Sequence, residues 1–313
     1  MQFIETIREG NEVVDHYLCS SKQILKTRAG KTYYSVRLQD KTGTIEGKIW
    51  DLNDGIGHFE AGDYVKIDGS VVTFQGGLQL NIRRVRKCQE GEYNPIDYVP
   101  MSEYNVDEMY DELLGFIQSV DNNYVKQLLE KFFVEDKTLA KRFKAHGAAK
   151  SVHHNYYGGL LEHTLGILRT CDFLAKSYKE VDRDILIAGA LLHDIAKTEE
   201  MTELPMVEYT DSGQLLGHII IAVEWINEKV AEIPGFPKSL ASIIKHVVLA
   251  HHGELEYGSP KKPAILEAIL LHYADNIDAK VKTFSTIMAQ SEEQDDWAGY
   301  QRLFETNIRK TRY

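Results

Sequence analysis

The chain has 313 residues, of which 43% are hydrophobic and 27% charged, with only 7 Pro. That length is a prior for about two domains, and that composition excludes a disordered or low-complexity chain. A net charge of −11 argues against a protein that coats nucleic acid by bulk electrostatics. The longest apolar stretch, Ile185 to Leu192, falls far short of the roughly 20 residues of a spanning helix, so no membrane partner is expected. The first residues lack the basic-then-apolar layout of a signal peptide. Cys19, Cys88 and Cys171 are odd in number and far apart, which rules out a disulfide framework or a thiolate zinc site. A reducing, cytoplasmic setting is expected.

From Asn11 to Cys88 the pattern is β. Runs at 13–27, 36–40, 44–50, 63–74 and 78–88 are rich in Val and Ile or alternate apolar with polar residues, as half-buried strands do. Lys41-Thr42-Gly43 and Gln75-Gly76-Gly77 have turn composition. Between Trp50 and Tyr64 the period breaks, and a short helix is expected there. Five strands in under 90 residues predict a small closed barrel over 1–88. This order, with the segments DKTGTIEGKIW (40–50) and GDYVKIDG (62–69), resembles an OB-fold of the anticodon-binding type. Residues 1–88 carry 13 Lys/Arg against 11 Asp/Glu, a net of +2. Such barrels hold single strands by stacking bases on aromatics beside a cationic groove. The candidates are Tyr33, Tyr34, Trp50 and Phe74, with Lys31, Arg37, Lys48, Arg83 and Arg84.

Residues 89–105 are acidic, carry Pro95 and Pro100, and have neither period, which reads as a linker. From Val106 onward the apolar spacing is helical, with runs at 106–120, 122–134, 137–146, 160–178, 182–197, 218–230, 239–252 and 263–281. Prolines and glycines fall between these runs, where helix breakers belong. An all-α domain is predicted over 106–313.

Residues 89–313 carry 23 Lys/Arg against 36 Asp/Glu, yet ten of the chain's 12 histidines lie between His146 and His272. Clustered histidine in an acidic, thiol-poor region points to metal. In order come His163, His193-Asp194, His218, His251-His252 and Asp275. His193 and Asp194 close an apolar run, where an ionised side chain is costly unless paired. Lys197 lies three residues beyond Asp194, on the same helical face. Any one of these histidines alone reads as a helix-end residue satisfied by a hydrogen bond. The ordered set H…HD…H…HH…D resembles the HD superfamily of metal-dependent phosphohydrolases over about 145–285.

That resemblance implies one metal on His163, His193, Asp194 and Asp275, and a second on His218, His251 and His252 with Asp194 as bridge. It also implies Lys197 as a cation for a phosphoryl oxygen, with Asp194 and Lys197 catalytic. His153 and His154, just before the first ligand, are candidates for a substrate phosphate. The basic run Lys137 to Lys150 is a candidate guide for a phosphate backbone.

A barrel followed by a two-metal HD domain is similar to the YhaM-type 3′→5′ exoribonucleases of Gram-positive bacteria. By that resemblance the activity is hydrolysis of single-stranded RNA to 5′-nucleotides through a metal-activated hydroxide. Mn²⁺ is the favoured ion, and single-stranded DNA and homo-oligomerisation are left open. Two alternatives use the same motifs. One is an HD hydrolase of small nucleotides whose barrel serves assembly. The other is a nucleic-acid-binding protein on a metal-stabilised scaffold.

Overall fold

Five strands, two of them with cleanly alternating burial, close on themselves at the N-terminal end of the chain. In the computed structural model, which describes residues 1–74, 76–149, 155–291 and 295–312, they are β1 (Glu12–Lys26), β2 (Thr32–Asp40), β3 (Gly43–Ile49), β4 (Tyr64–Phe74) and β5 (Gly77–Lys87). Their order around the closed barrel is β1-β2-β3-β5-β4. All neighbours are antiparallel except β3 and β5, which pair in parallel from Glu46 opposite Gln79 to Lys48 opposite Asn81. The inward set includes Tyr17, Val36, Leu38, Ile45, Ile49, Ile67, Leu80 and Ile82, one side of each pleat as the period of two requires. The expected small OB-type barrel is therefore present.

Two expectations for this part of the chain are corrected. No helix forms between Trp50 and Tyr64. Asn53 caps a turn by accepting from the Gly55 N–H at 2.8 Å. The backbone then bonds to β5, Gly57 N to Val85 O and Val85 N to Gly55 O. The segment read as a linker also packs. A short 3-10 turn spans Pro95–Tyr98, the Tyr93 ring stacks on Tyr64 with centroids 3.8 Å apart, and Tyr98 and Val99 are buried. Clusters of aromatic side chains carry no period, which is why this packing is not visible in the sequence pattern.

The chain divides into two compact units, Met1–Met101 with Leu204–Met206, and Ser102–Glu203 with Val207–Tyr313. The second unit contains α1 (Val106–Gln118), α2 (Asn123–Glu130) running into one π-turn (Lys131–Glu135), α3 (Lys137–Ala145) and α4 (Gly159–Ser177). These are followed by α5 (Arg183–Leu192), α6 (Lys197–Glu200), α7 (Asp211–Leu215), α8 (Gly217–Ala231), α9 (Lys238–Leu249) and α10 (Leu266–Gln290). Asn105, Asn122, Asp136 and Asp182 each accept from backbone N–H groups of the first turn that follows them, the usual side-chain solution for orphan donors.

Every residue from Ile185 to Leu192 is buried. A helix apolar on all sides belongs in the middle, and α5 packs against α4, α9 and α10. The expected run 182–197 is one helix only as far as Leu192; His193 to Ala196 form a turn before α6. The unit is also not wholly α. Trp297–Gln301 (β6) and Thr306–Arg309 (β7) pair as a two-stranded hairpin, with Ile308 buried beneath it. Strands this short give too few alternations to register as a period.

Among the described residues no helix is long and apolar enough to cross a membrane. Gly189 marks the closest approach inside α5, since a Cβ there would lie 2.3 Å from Val247 Cγ1 of α9. Gly189→Ala is expected to cost about 1–3 kcal/mol through overpacking, read as a lower urea midpoint of the intact chain. An unchanged midpoint would mean that α5 and α9 separate without penalty.

Candidate metal centre and nucleic-acid interface

The burial of α5 decides where its last residues go. His193 and Asp194 emerge at its end 0% and 2% exposed. His163 comes from α4, His218 from the first turn of α8, His251 and His252 from the turn after α9, and Asp275 from α10. Asp194 lies at their centre. Its Oδ2 is 3.3 Å from both His163 Nε2 and His193 Nε2, while its Oδ1 is 3.4 Å from His218 Nε2 and 3.8 Å from His251 Nε2. His163 Nε2 also lies 3.4 Å from Asp275 Oδ1. The His252 ring is 4.3 Å from that of His251 and 5.4 Å from that of His218, between centroids. The two oxygens of one carboxylate thus face two different sets of imidazoles.

The other ring nitrogen of each imidazole is already committed. His163 Nδ1 donates to Asp278 Oδ2 at 2.7 Å and His218 Nδ1 to Glu200 Oε1 at 2.9 Å. His193, His251 and His252 donate through Nδ1 to the carbonyls of Ala190, Val248 and Tyr257 at 2.8, 2.7 and 3.0 Å. An Nδ1–H used this way turns Nε2 inward, where it offers a lone pair once the ring is neutral. His193 Nε2, Asp194 Oδ1 and His218 Nε2 are buried with no hydrogen-bond partner. Buried polar atoms are rarely left so, and here they converge. His163, His193 and Asp194 form one group with the separations of a cation site; His218, His251 and His252 form another. Imidazole and carboxylate without thiolate suit a divalent transition ion, and the residues fit one.

The electrostatics follow from that crowding. Burial works against charge on Asp194, but Lys197 and His193 outweigh it and hold its carboxyl well below the ordinary range. Burial likewise opposes Asp275 and is outweighed by its hydrogen bond from His163. His163 is pulled well above the usual imidazole range, because Asp194, Asp275 and Asp278 overcome its desolvation. His251 and His252 go the other way, pushed down by burial and by neighbouring imidazoles. Lys197 Nζ rests 2.7 Å from Asp194 Oδ2, and that carboxylate raises it despite desolvation.

Sequence reading missed Glu200 and Asp278. Each sits three residues beyond a residue it singled out, Lys197 and Asp275, on the same helical face, which is the signal that could have found them. Gly166, three residues after His163, makes room for Asp278; a Cβ there would lie 2.6 Å from its Oδ1. His272 donates through Nδ1 to the His251 carbonyl at 3.0 Å. His153 and His154 lie outside the described residues.

On the barrel, strand alternation separates the aromatic candidates. Tyr33 and Trp50 point outward and stack with centroids 4.6 Å apart. Lys48 Nζ lies 5.9 Å from the Tyr33 ring, and Trp50 Nε1 donates to Asn81 Oδ1 at 3.1 Å. Tyr34, one residue along, packs against the core with Lys22 over its ring, and Phe74 stands exposed at the end of β4. The cations are largely matched internally: Lys31 with Asp51, Lys48 with Glu46, and Arg83 with Glu12 and Asp68. Arg84 lines a groove with Trp50, Asn53 and Asn81. In the basic run before the first histidine, Arg142 hydrogen-bonds the Thr198 carbonyl and Lys144 pairs with Asp107 at 3.0 Å. Two of that run's cations thus brace the fold.

Residues 160–280 match the HD domain family, and residues 19–87 match an OB-fold nucleic acid binding domain of the tRNA anticodon type. The chain is 35% identical to the 3′-5′ exoribonuclease YhaM of Geobacillus sp. (strain WCH70) over 277 residues, 87% of this chain and 84% of that protein. It is 36% identical to the 3′-5′ exoribonuclease YhaM of Bacillus subtilis (strain 168) over 281 residues, 88% and 87% of the two chains. The chain belongs to the YhaM exoribonuclease family. Among solved structures, the second OB-fold domain of replication protein A from Methanococcus maripaludis aligns with 28% of this YhaM-family chain and 94% of its own, at 18% identity and TM-score 0.23.

The committed Nδ1 atoms generate a test. Asp278→Asn keeps the shape of the His163 partner and removes its charge. It is expected to weaken Mn²⁺ binding about 10–100-fold, measured by calorimetric titration of the metal-free protein. Unaltered affinity would mean that Asp278 does not orient His163.

Proposed function

We propose that this YhaM-family protein is a metal-dependent 3′→5′ exoribonuclease that holds single-stranded RNA on its barrel and releases 5′-nucleotides at the histidine centre. The observation that carries the reading is the convergence of imidazole Nε2 atoms on both oxygens of Asp194, with every Nδ1 satisfied elsewhere. His163, His193, Asp194 and Asp275 would hold one divalent ion, and His218, His251 and His252 would hold a second, with Asp194 shared. Mn²⁺ is the ion we assign. A pair of such ions, when bound, supplies Lewis acidity that activates water and screens charge on phosphoryl oxygens.

The chain's own groups do the rest. Glu200, Asp278 and three backbone carbonyls keep the imidazoles in one tautomer, so no reorientation precedes catalysis. Lys197 holds the Asp194 carboxylate in the resting site and is assigned to a non-bridging phosphoryl oxygen in the substrate complex. Tyr33 and Trp50 form a flat outward face for bases; Arg84 lies in the groove beside it for phosphates, and Lys48 joins it by exchanging Glu46 for a phosphate. Three buried, unbonded cysteines are consistent with the cytoplasmic setting we assign.

A 5′-labelled single-stranded RNA incubated with Mn²⁺ is expected to shorten progressively from its 3′ end. EDTA or Asp194→Ala is expected to leave it intact. Uncut RNA with Mn²⁺ present would overturn the reading and direct attention to small nucleotides. For the barrel, Trp50→Ala is expected to weaken RNA binding by about 1–3 kcal/mol, the usual worth of one stacked base, in filter-binding titrations with EDTA present. No change would remove the Tyr33–Trp50 face from the binding path.

A further inference from the structure

Beside the metal centre lies a cavity of about 440 Å³, within the range of roughly 300–1,000 Å³ typical of small-molecule sites. His252 and Asp275 belong to its wall as well as to the centre. From Asp275 the lining continues along one face of α10 through Asn276, Ala279, Lys280 and Thr283, about 12 Å of helix from first to last. Opposite stand Tyr257, from the short turn Leu255–Tyr257, and Leu303 and Phe304, from the turn of the β6–β7 hairpin.

These walls are not core. Tyr257 is 67% exposed and Leu303 69% exposed, so the fold holds two large apolar side chains in water next to a cluster of charges. Phe304 is fixed edge-on against Phe284, centroids 4.5 Å apart, which steadies the hairpin side of the cavity. Among the described residues, Asn276 and Lys280 make no side-chain hydrogen bond or ion pair. Both are therefore available to a ligand.

We propose that this cavity seats the 3′-terminal nucleoside of the strand, with its base against Tyr257, Leu303 and Phe304, its sugar hydroxyls met by Asn276 and the phosphate on its 5′ side met by Lys280. The inference rests on the exoribonuclease reading and deepens it. Three features select this occupant. Aromatic and apolar walls take the faces of any base without reading its identity. An amide offers both a donor and an acceptor to sugar hydroxyls, and an ammonium meets a phosphate oxygen. The shared residues His252 and Asp275 place a nucleoside seated here directly beside the groups that would act on the phosphodiester preceding it.

The test uses the full chain loaded with Mn²⁺ and two RNAs that differ only in whether the 3′-terminal residue carries a base. Wild type is expected to remove the ordinary terminal nucleotide with kcat/KM about tenfold above that for the abasic one. Tyr257→Ala is expected to treat both alike at the lower rate, while Tyr257→Phe keeps the discrimination. Mn²⁺ affinity should be the same in all three, since His252 is held by the Tyr257 carbonyl and not by its ring. Equal wild-type rates on the two RNAs would overturn the pocket while leaving the exoribonuclease reading standing. Should wild type cut neither RNA, that reading falls and equilibrium binding of adenosine 5′-monophosphate decides the pocket. Saturable binding weakened about tenfold in Tyr257→Ala supports it, and absence of binding overturns it.

Discussion

Asp194 is an ionised group at the end of a helix that has no polar face, and the helical unit is arranged around that fact. All eight residues from Ile185 to Leu192 are buried, so the carboxylate that follows them cannot reach bulk water. An isolated charge in such a place would cost many kcal/mol or take up a proton. Lys197, in the next turn, supplies the nearest counter-charge. Around the pair stand three more carboxylates, Glu200, Asp275 and Asp278, and several imidazoles, two of which burial disfavours as cations. The balance of this cluster is negative and its free lone pairs point inward. A buried site of that kind is completed by cations.

What surrounds the cluster is as specific as the cluster. Glu200 is brought to His218 because α7 sits hard against the backbone of α6; a Cβ on Gly213 would meet Glu200 O at 2.1 Å. Asp278 reaches His163 across the bare surface of Gly166. Neither glycine touches a candidate ligand, yet a methyl group on either would displace a residue that orients one. The geometry of the centre is thus decided one layer out, by small residues at helix crossings.

The order His163, His193-Asp194, His218, His251-His252, Asp275 was legible because each lies at or near the end of an apolar run, where a polar residue stands out. The barrel was legible because β3 and β4 alternate over seven or more residues and the other strands are long runs rich in apolar residues between turn signals. Glu200 and Asp278 were less so: their spacing from Lys197 and Asp275 fixes a helical face, but only the fold presents each to a particular imidazole. The same limit applies to Arg83: its place among basic candidates is plain in sequence, whereas its pairing with Glu12, 71 residues away, is made only by barrel closure. Tyr33 and Tyr34 differ by one position and so by one face of the pleat. Stacking on Trp50 for one and packing on the core for the other follow from a register that composition does not set. The β6–β7 hairpin escaped notice because nine residues of strand carry no usable period.

The hydrogen bonds that orient the imidazoles are made entirely by the chain. A small zinc domain collapses when stripped, because the ion is what holds its ligands together. Here carbonyls and carboxylates of the chain also orient the rings, and the centre lies against an apolar core. The bonds that aim His163 and His218 are the same bonds that tie α4 to α10 and α6 to α8. Which divalent ion such a centre would prefer follows from its donor set, imidazole and carboxylate without thiolate.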